Sequence, residues 1–203
     1  MQEQNKIGLF GGTFSPIDNA HIMIADGFVN EMELALCYFI PAFVSPFKTG
    51  DEPAMNVTPE HTLQMVKLAI AHNPKFRLES FEIDKGGVSY SYETVNYFKA
   101  KFPGVQLFML IGSDQAVSFK NWKNWEKILN GVQLCIAPRY GIDTKIDLIE
   151  SLTIDGKKPV MLKTPFMEIS STMIRDELRE GRAINGLVPV EVEKYIYENK
   201  LYI

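Results

Sequence analysis

Cysteine and histidine are scarce in this chain, with two of the first and three of the second in 203 residues. Cys37 and Cys135 each lie in an apolar run without the close spacing of a metal or redox pair, so neither a disulfide framework nor a zinc motif is indicated. Both read as reduced core thiols. Also missing is any unbroken apolar run near the ~18 residues that a membrane-spanning helix requires. Nor is there an excess of basic residues: 21 Lys and Arg against 25 Asp and Glu leave a formal net charge of -4. That balance argues against a broad polyanion-binding face, and so against nucleic acid as a partner; any phosphate site must be local. The opening Met-Gln-Glu-Gln-Asn-Lys carries no signal-peptide pattern, which sets the cytoplasm as the expected compartment. No internal repeat and no low-complexity segment is present. What remains is an ordinary globular composition, 46% hydrophobic and 23% charged. The length suits one well-buried core, so a single domain over residues 1–203 is expected, with C-terminal helices (about 171–203) packed on it.

Short apolar runs and amphipathic stretches alternate along the chain. Ile7 to Phe10 and Ala35 to Ile40 suit buried strands, with a helical pattern from about His21 to Asn30 between them. Thr58-Pro59 reads as a helix start, and Leu63, Val66 and Ile70 continue it until Asn73-Pro74. Phe76 to Ile83 alternates like a strand, Gly86-Gly87 interrupts, and Ser91 to Lys101 is helical. Val105 to Ile111, Val132 to Ala137 and Val160 to Lys163 are further strand candidates, with a Trp-containing helical segment between the first two. Helices are expected at about Ser171 to Glu180 and Val190 to Asn199, and a loop or short excursion at Arg139 to Lys158. This alternation predicts an α/β fold: a doubly wound, mainly parallel sheet with helices on both faces. Ligands in such sheets bind beyond the carboxyl ends of the strands, where the winding changes direction. The loops after Phe10, Ile40 and Ile111 should gather there.

The first of these loops reads Gly11-Gly12-Thr13-Phe14-Ser15-Pro16-Ile17-Asp18-Asn19-Ala20-His21. Two glycines without Cβ atoms allow a sharp turn and close approach to a ligand, and the helix that follows can point free N–H groups at the same place. A plain tight turn with a packed histidine would use the same residues. It is neither the dinucleotide fingerprint nor a P-loop, whose later glycine and Gly-Lys-Ser/Thr ending are missing. Near the C-terminus, Ser170-Ser171-Thr172 can cap a helix and donate to an anion, with Arg175 one turn further on; simple capping is the competing reading.

Together these stretches resemble the nucleotidylyltransferase superfamily, most closely the nicotinate mononucleotide adenylyltransferases. The first motif of that family has the form GGTFDPIHNGH. Gly11, Gly12, Thr13, Phe14, Pro16, Ile17, Asn19 and His21 match it, whereas Ser15, Asp18 and Ala20 replace Asp, His and Gly. The resemblance makes Gly11, Gly12, Thr13, Phe14 and His21 contacts to ATP, with His21 the transition-state ligand, and implies a Rossmann-like fold. Ile169-Ser170-Ser171-Thr172-Met173-Ile174-Arg175 matches the family's ISSTxIR motif throughout, which implies contacts to the ATP phosphates. Leu110-Ile111-Gly112-Ser113-Asp114 assigns Gly112 and Asp114 to the nucleotide and its ribose, and Trp122 to stacking on the pyridine ring. Gly87 to Thr94 is similar to the family's G-x-S-Y-T-x-D-T, a helix start at Ser91 that presents backbone N–H groups to the nicotinate carboxylate. Ser45-Pro46-Phe47-Lys48 is similar to a P-P-H-K loop that keeps Lys48, and Arg139 matches a V-x-x-R-P-G region loosely. Pro189 to Tyr202 fits the family's C-terminal helix and tail.

The activity so implied is adenylyl transfer from ATP to nicotinate mononucleotide, giving deamido-NAD and pyrophosphate, with Mg2+ carried by the ATP. The alternative is a nucleotide-binding homologue with little turnover, because of Asp18 and Ala20. Asp18 has three readings. Its carboxylate repels the triphosphate, holds Mg2+, or turns back to cap the helix. Repulsion is the expectation, since the family places no carboxylate here. Ala20 is expected to be strained if its backbone is left-handed.

Overall fold

The unbroken apolar runs form the centre of the sheet, as expected for strands buried on both faces. The computed structural model describes residues 5–47, 56–138, 146–165 and 167–203. Strand β1 (Lys6–Gly12) leads into helix α1 (Asn19–Glu31) and then β2 (Leu36–Pro41). Helix α2 (Pro59–Ile70) follows, then β3 (Phe76–Leu78), α3 (Phe81–Lys85) and α4 (Ser91–Lys101). β4 (Gln106–Gly112) leads to α5 (Ser113–Val117), a 3-10 turn at Phe119–Asn121, α6 (Trp125–Gly131) and β5 (Gln133–Ala137). The chain continues through α7 (Ile146–Ser151), β6 (Val160–Met161), α8 (Ser171–Arg179) and α9 (Val190–Glu198). The sheet order is β3-β2-β1-β4-β5-β6, and every pairing is parallel. Winding runs one way from β1 to β3 and the other way from β4 to β6. The switch point therefore lies between β1 and β4, beyond Gly12 and Gly112.

Alternate residues along each strand feed two cores. Phe10, Phe39, Leu110 and Cys135 face one side, beside Phe28, Met65, Ile174, Val192 and Ile196 of helices α1, α2, α8 and α9. Leu9, Ile40, Met109 and Ile136 face the other, beside Val95, Phe98 and Ile128 of α4 and α6. Gly8 lets α1 approach β1: a Cβ there would lie 2.6 Å from the Phe28 ring and 2.7 Å from Leu34. Both cysteines are buried and unpaired, and burial pushes the Cys135 thiol up to about 12. Among the described residues no helix is long and apolar enough to cross a membrane.

Several local expectations are corrected. The strand expected over Phe76 to Ile83 stops at Leu78, because β2 offers it pairing only from Cys37 to Phe39. The next turn closes as helix instead: Asp84 N–H donates to the Ser80 carbonyl at 2.8 Å, and Ser80 Oγ donates to the Asp84 carboxylate at 2.6 Å. The Trp-containing segment is broken at Asn124, whose φ of 56° an asparagine tolerates. Val160 to Lys163 contributes only two strand residues, and α7 lies where a loop was expected. Residues 139–145 of that stretch lie outside the described ones.

Candidate active site

The turn at the switch point is not made by glycine. Gly11 and Gly12 remain in β1, paired with Ile40 and Pro41, and the left-handed residue is Phe14, with φ 44°. The missing Cβ atoms serve space instead: one on Gly12 would sit 3.0 Å from the Phe14 ring. That ring turns into the core, 1% exposed, against Phe10 at 5.4 Å and His21 at 5.2 Å. Phe14, expected to touch ATP, is thus the floor beneath the loop rather than part of a cavity wall.

Asp18 caps α1, accepting from the His21 backbone N–H at 2.8 Å. The same oxygen lies 2.6 Å from His21 Nδ1. The Asp18 backbone N–H donates to that nitrogen at 3.3 Å, closing a reciprocal capping box in which Nδ1 accepts. The imidazole is therefore held from one side by Asp18 and from the others by the Phe10 and Phe14 rings. Its Nε2 is the nitrogen left for the cleft. Asp18 itself is 0% exposed, and its Oδ2 has no hydrogen-bond partner among the described residues. Of its three readings, the geometry realises the cap and adds a grip on the histidine. Ala20 is inside α1 and absent from the positive-φ residues, so the expected strain does not arise.

The loop is braced from the C-terminal part of the chain. Ser171 Oγ donates to the Pro16 carbonyl at 2.9 Å, and Arg175 Nη1 donates to the Ser15 carbonyl at 3.0 Å. Asn19 N–H donates to the Leu187 carbonyl at 2.9 Å, and Ser15 Oγ lies 3.0 Å from the Tyr202 hydroxyl. Burial pushes that phenol up to about 12. Ser170 is the N-cap of α8, accepting from Met173 N–H at 3.2 Å, and Thr172 Oγ1 accepts from Arg175 Nη2 at 3.1 Å. Each of the three hydroxyls thus has a structural partner. Arg175 is 4% exposed, so its guanidinium braces the loop as well as facing the cleft.

Two cavities open at the carboxyl ends of the strands. The smaller, about 570 Å³, is lined by His21, Gly112, Ser170, Ser171, Thr172 and Arg175 among others. The larger, about 640 Å³, is lined by Ser91 and Trp122, with Phe47, Tyr90, Lys123 and Glu82, which the sequence reading passed over. Gly11, Gly12, Thr13 and Asp114 line both. Trp122 packs against Phe119 at 4.9 Å and Phe47 at 5.9 Å. Lys123 Nζ lies 4.3 Å from the Tyr90 ring centroid. Burial raises the Glu82 carboxyl above its ordinary range, opposed by hydrogen bonds from Thr94 and Ser89. Glu82 was hidden because Phe81 and Ile83 around it alternate like a strand. Lys48 and Arg139 lie outside the described residues.

Comparison with known proteins agrees with this arrangement. A family model described as cytidylyltransferase-like matches residues 9–177. The nicotinate-nucleotide adenylyltransferase of Bacillus subtilis is 34% identical over 198 residues, covering 97% of this chain and 98% of that protein. A probable nicotinate-nucleotide adenylyltransferase of Clostridium acetobutylicum is 36% identical over 204 residues, covering 98% and 99%. Among solved structures, Plasmodium falciparum nicotinic acid mononucleotide adenylyltransferase complexed with NaAD superposes with a TM-score of 0.78 at 19% identity, covering 98% of each chain. With its sheet, its paired cavities and these relatives, the chain belongs to the nicotinate-nucleotide adenylyltransferases, within the cytidylyltransferase-like family.

Proposed function

We propose that the protein joins ATP to nicotinate mononucleotide, giving deamido-NAD and pyrophosphate, and that residues 1–203 act as one domain. The observation that carries this reading is the pair of cavities meeting at Gly11 to Thr13 and Asp114, one holding His21 and the other Trp122. ATP occupies the smaller cavity and the mononucleotide the larger, with the pyridine ring on Trp122 and its carboxylate at the start of α4 near Ser91. A mononucleotide phosphate oxygen attacks the α-phosphorus of ATP as the bond to the pyrophosphate oxygen breaks, so no enzyme-bound intermediate is needed. The protein's work is alignment and charge stabilisation. His21, its Nδ1 accepting from the Asp18 backbone N–H, turns Nε2–H to the transferring phosphoryl group. Free N–H groups at the start of α8, together with Arg175, receive the leaving pyrophosphate; Lys48 and Arg139, which the resemblance implies as substrate contacts, lie outside the described residues.

Magnesium enters as MgATP, where it neutralises phosphate charge. Among the described residues no group of three or more His, Cys, Asp or Glu could hold a metal ion. Two buried, unpaired cysteines fit a reducing compartment, and we assign the protein to the cytoplasm. Pyrophosphate release with ATP, Mg2+ and either nicotinate or nicotinamide mononucleotide tests the reading. Release with the nicotinate substrate supports it, and binding of both substrates without release would reduce the protein to a nucleotide-binding homologue.

A further inference from the structure

Glu82 is a buried carboxylate, 6% exposed, in the short helix α3 and at the wall of the larger cavity. Two hydroxyls serve it. Thr94 Oγ1, in the first turns of α4, donates to Oε1 at 2.5 Å, and the Ser89 hydroxyl also hydrogen-bonds to the carboxylate. Both partners are themselves buried, Thr94 4% and Ser89 6% exposed. Ser89 is the hinge of the arrangement. Its Oγ accepts from the Phe43 backbone N–H at 3.0 Å, which leaves its proton for Glu82, and its own N–H donates to the Val44 carbonyl at 2.9 Å. Val44 and Val88 form a parallel bridge beside it.

The line from Phe43 through Ser89 to Glu82 and Thr94 thus joins three pieces of backbone. They are the segment after β2, the approach to α4, and α4 itself. Ala42, Ser45, Pro46 and Phe47 from the first piece and Ser89, Tyr90 and Ser91 from the second line the larger cavity, and none of them lines the smaller one. An ionised carboxylate can meet each hydroxyl proton with a separate oxygen, whereas an amide turns an NH2 donor toward one of the two. A buried carboxylate so placed is costly, and two hydrogen bonds are what make it tolerable.

We propose that Glu82 is a positioning residue for the mononucleotide, fixing the distance between the two walls of its cavity without touching the reacting phosphates. The inference rests on the assignment of the larger cavity to the mononucleotide. Calorimetric titration of wild type, Glu82→Gln and Ser89→Ala with nicotinate mononucleotide and separately with ATP tests it. The expected result is a rise of about 10-fold or more in the mononucleotide Kd for Glu82→Gln, with the ATP Kd within about 2-fold. In turnover assays the mononucleotide KM rises and kcat changes much less. Ser89→Ala, which leaves α3 and Thr94 in place, gives the same split in smaller measure and serves alone if Glu82→Gln does not fold. Equal losses for both ligands, or none for either, would overturn the proposal. Wild type that binds the mononucleotide but releases no pyrophosphate would instead remove the adenylyl-transfer reading and leave this one standing.

Discussion

An imidazole that must meet a phosphoryl oxygen has two torsions to lock, and at His21 both are locked by neighbours three to eleven positions earlier in the chain. The Asp18 backbone N–H at 3.3 Å takes Nδ1, and the rings of Phe10 and Phe14 take the faces and edge. His21→Ala should therefore lower kcat by about 100-fold or more with little loss of stability, since it removes one transition-state contact from a partly exposed side chain; pyrophosphate release and a thermal melt check the two halves. Asp18 separates cap from grip. Asp18→Asn keeps the capping oxygen and the backbone N–H that His21 Nδ1 accepts, so turnover within about 3-fold of wild type and stability within a few tenths of a kcal/mol are expected. Asp18→Ser still caps the helix but is too short to reach the ring, and turnover should fall by about 10-fold at nearly constant stability. Equal kinetics for the two variants would confine Asp18 to the helix end. The sequence made His21 and the exchange at Asp18 visible. It hid their contact, because an i, i+3 pair reads as a cap and not as a clamp until the ring is seen turned back on it.

At the scale of elements, legibility followed burial. β1 and β4, apolar on both faces, were readable as continuous runs, and α4 was readable from its punctuation by Gly86-Gly87 and Pro103-Gly104. The edge of the sheet was not: β3 is held from one side only, so its alternating pattern runs on past the point where pairing ends. The helix that replaces it delivers Glu82. Burial holds that carboxyl above its ordinary range in the folded chain. From about pH 4.5 upward, the folded protein thus keeps a proton that the unfolded chain has released, and stability from this group falls as pH climbs through that window. Lys85 lowers the group and Glu93 raises it, each less than burial does. Glu82→Gln should flatten this slope, and urea midpoints of both proteins across the window are the check. In the 3-10 turn and its exit, Trp122 packs on Phe119 and faces the larger cavity. Trp122→Ala should weaken mononucleotide binding by about 10-fold while sparing ATP; matched losses in the two titrations would make it a core residue only.

For the molecule as a whole, the site is a junction between the beginning and the end of the chain. The loop that leads into His21 rests on Ser171, Arg175, Leu187 and Tyr202, and Tyr202 is 4% exposed. Tyr202→Phe removes the hydroxyl contact to Ser15 at a cost of about 1 kcal/mol. Tyr202→Ala removes the packed ring as well, about 3–5 kcal/mol, and should also lower turnover by loosening the loop from below. Denaturant unfolding and kinetics on the two variants measure these effects, and full activity in a destabilised Tyr202→Ala protein would uncouple tail from site. The same arrangement bears on how the protein comes into being. Ser15 and Tyr202 are 187 positions apart. At a synthesis rate of ~5–20 residues per second, that interval takes about 10–40 s. Until α8 is made the loop before His21 has none of its braces, so a ribosome-bound chain arrested before α8 has a strand, a loop and a histidine but not the contacts that hold them. The braces arrive late, when α8 and the tail close over a loop made first.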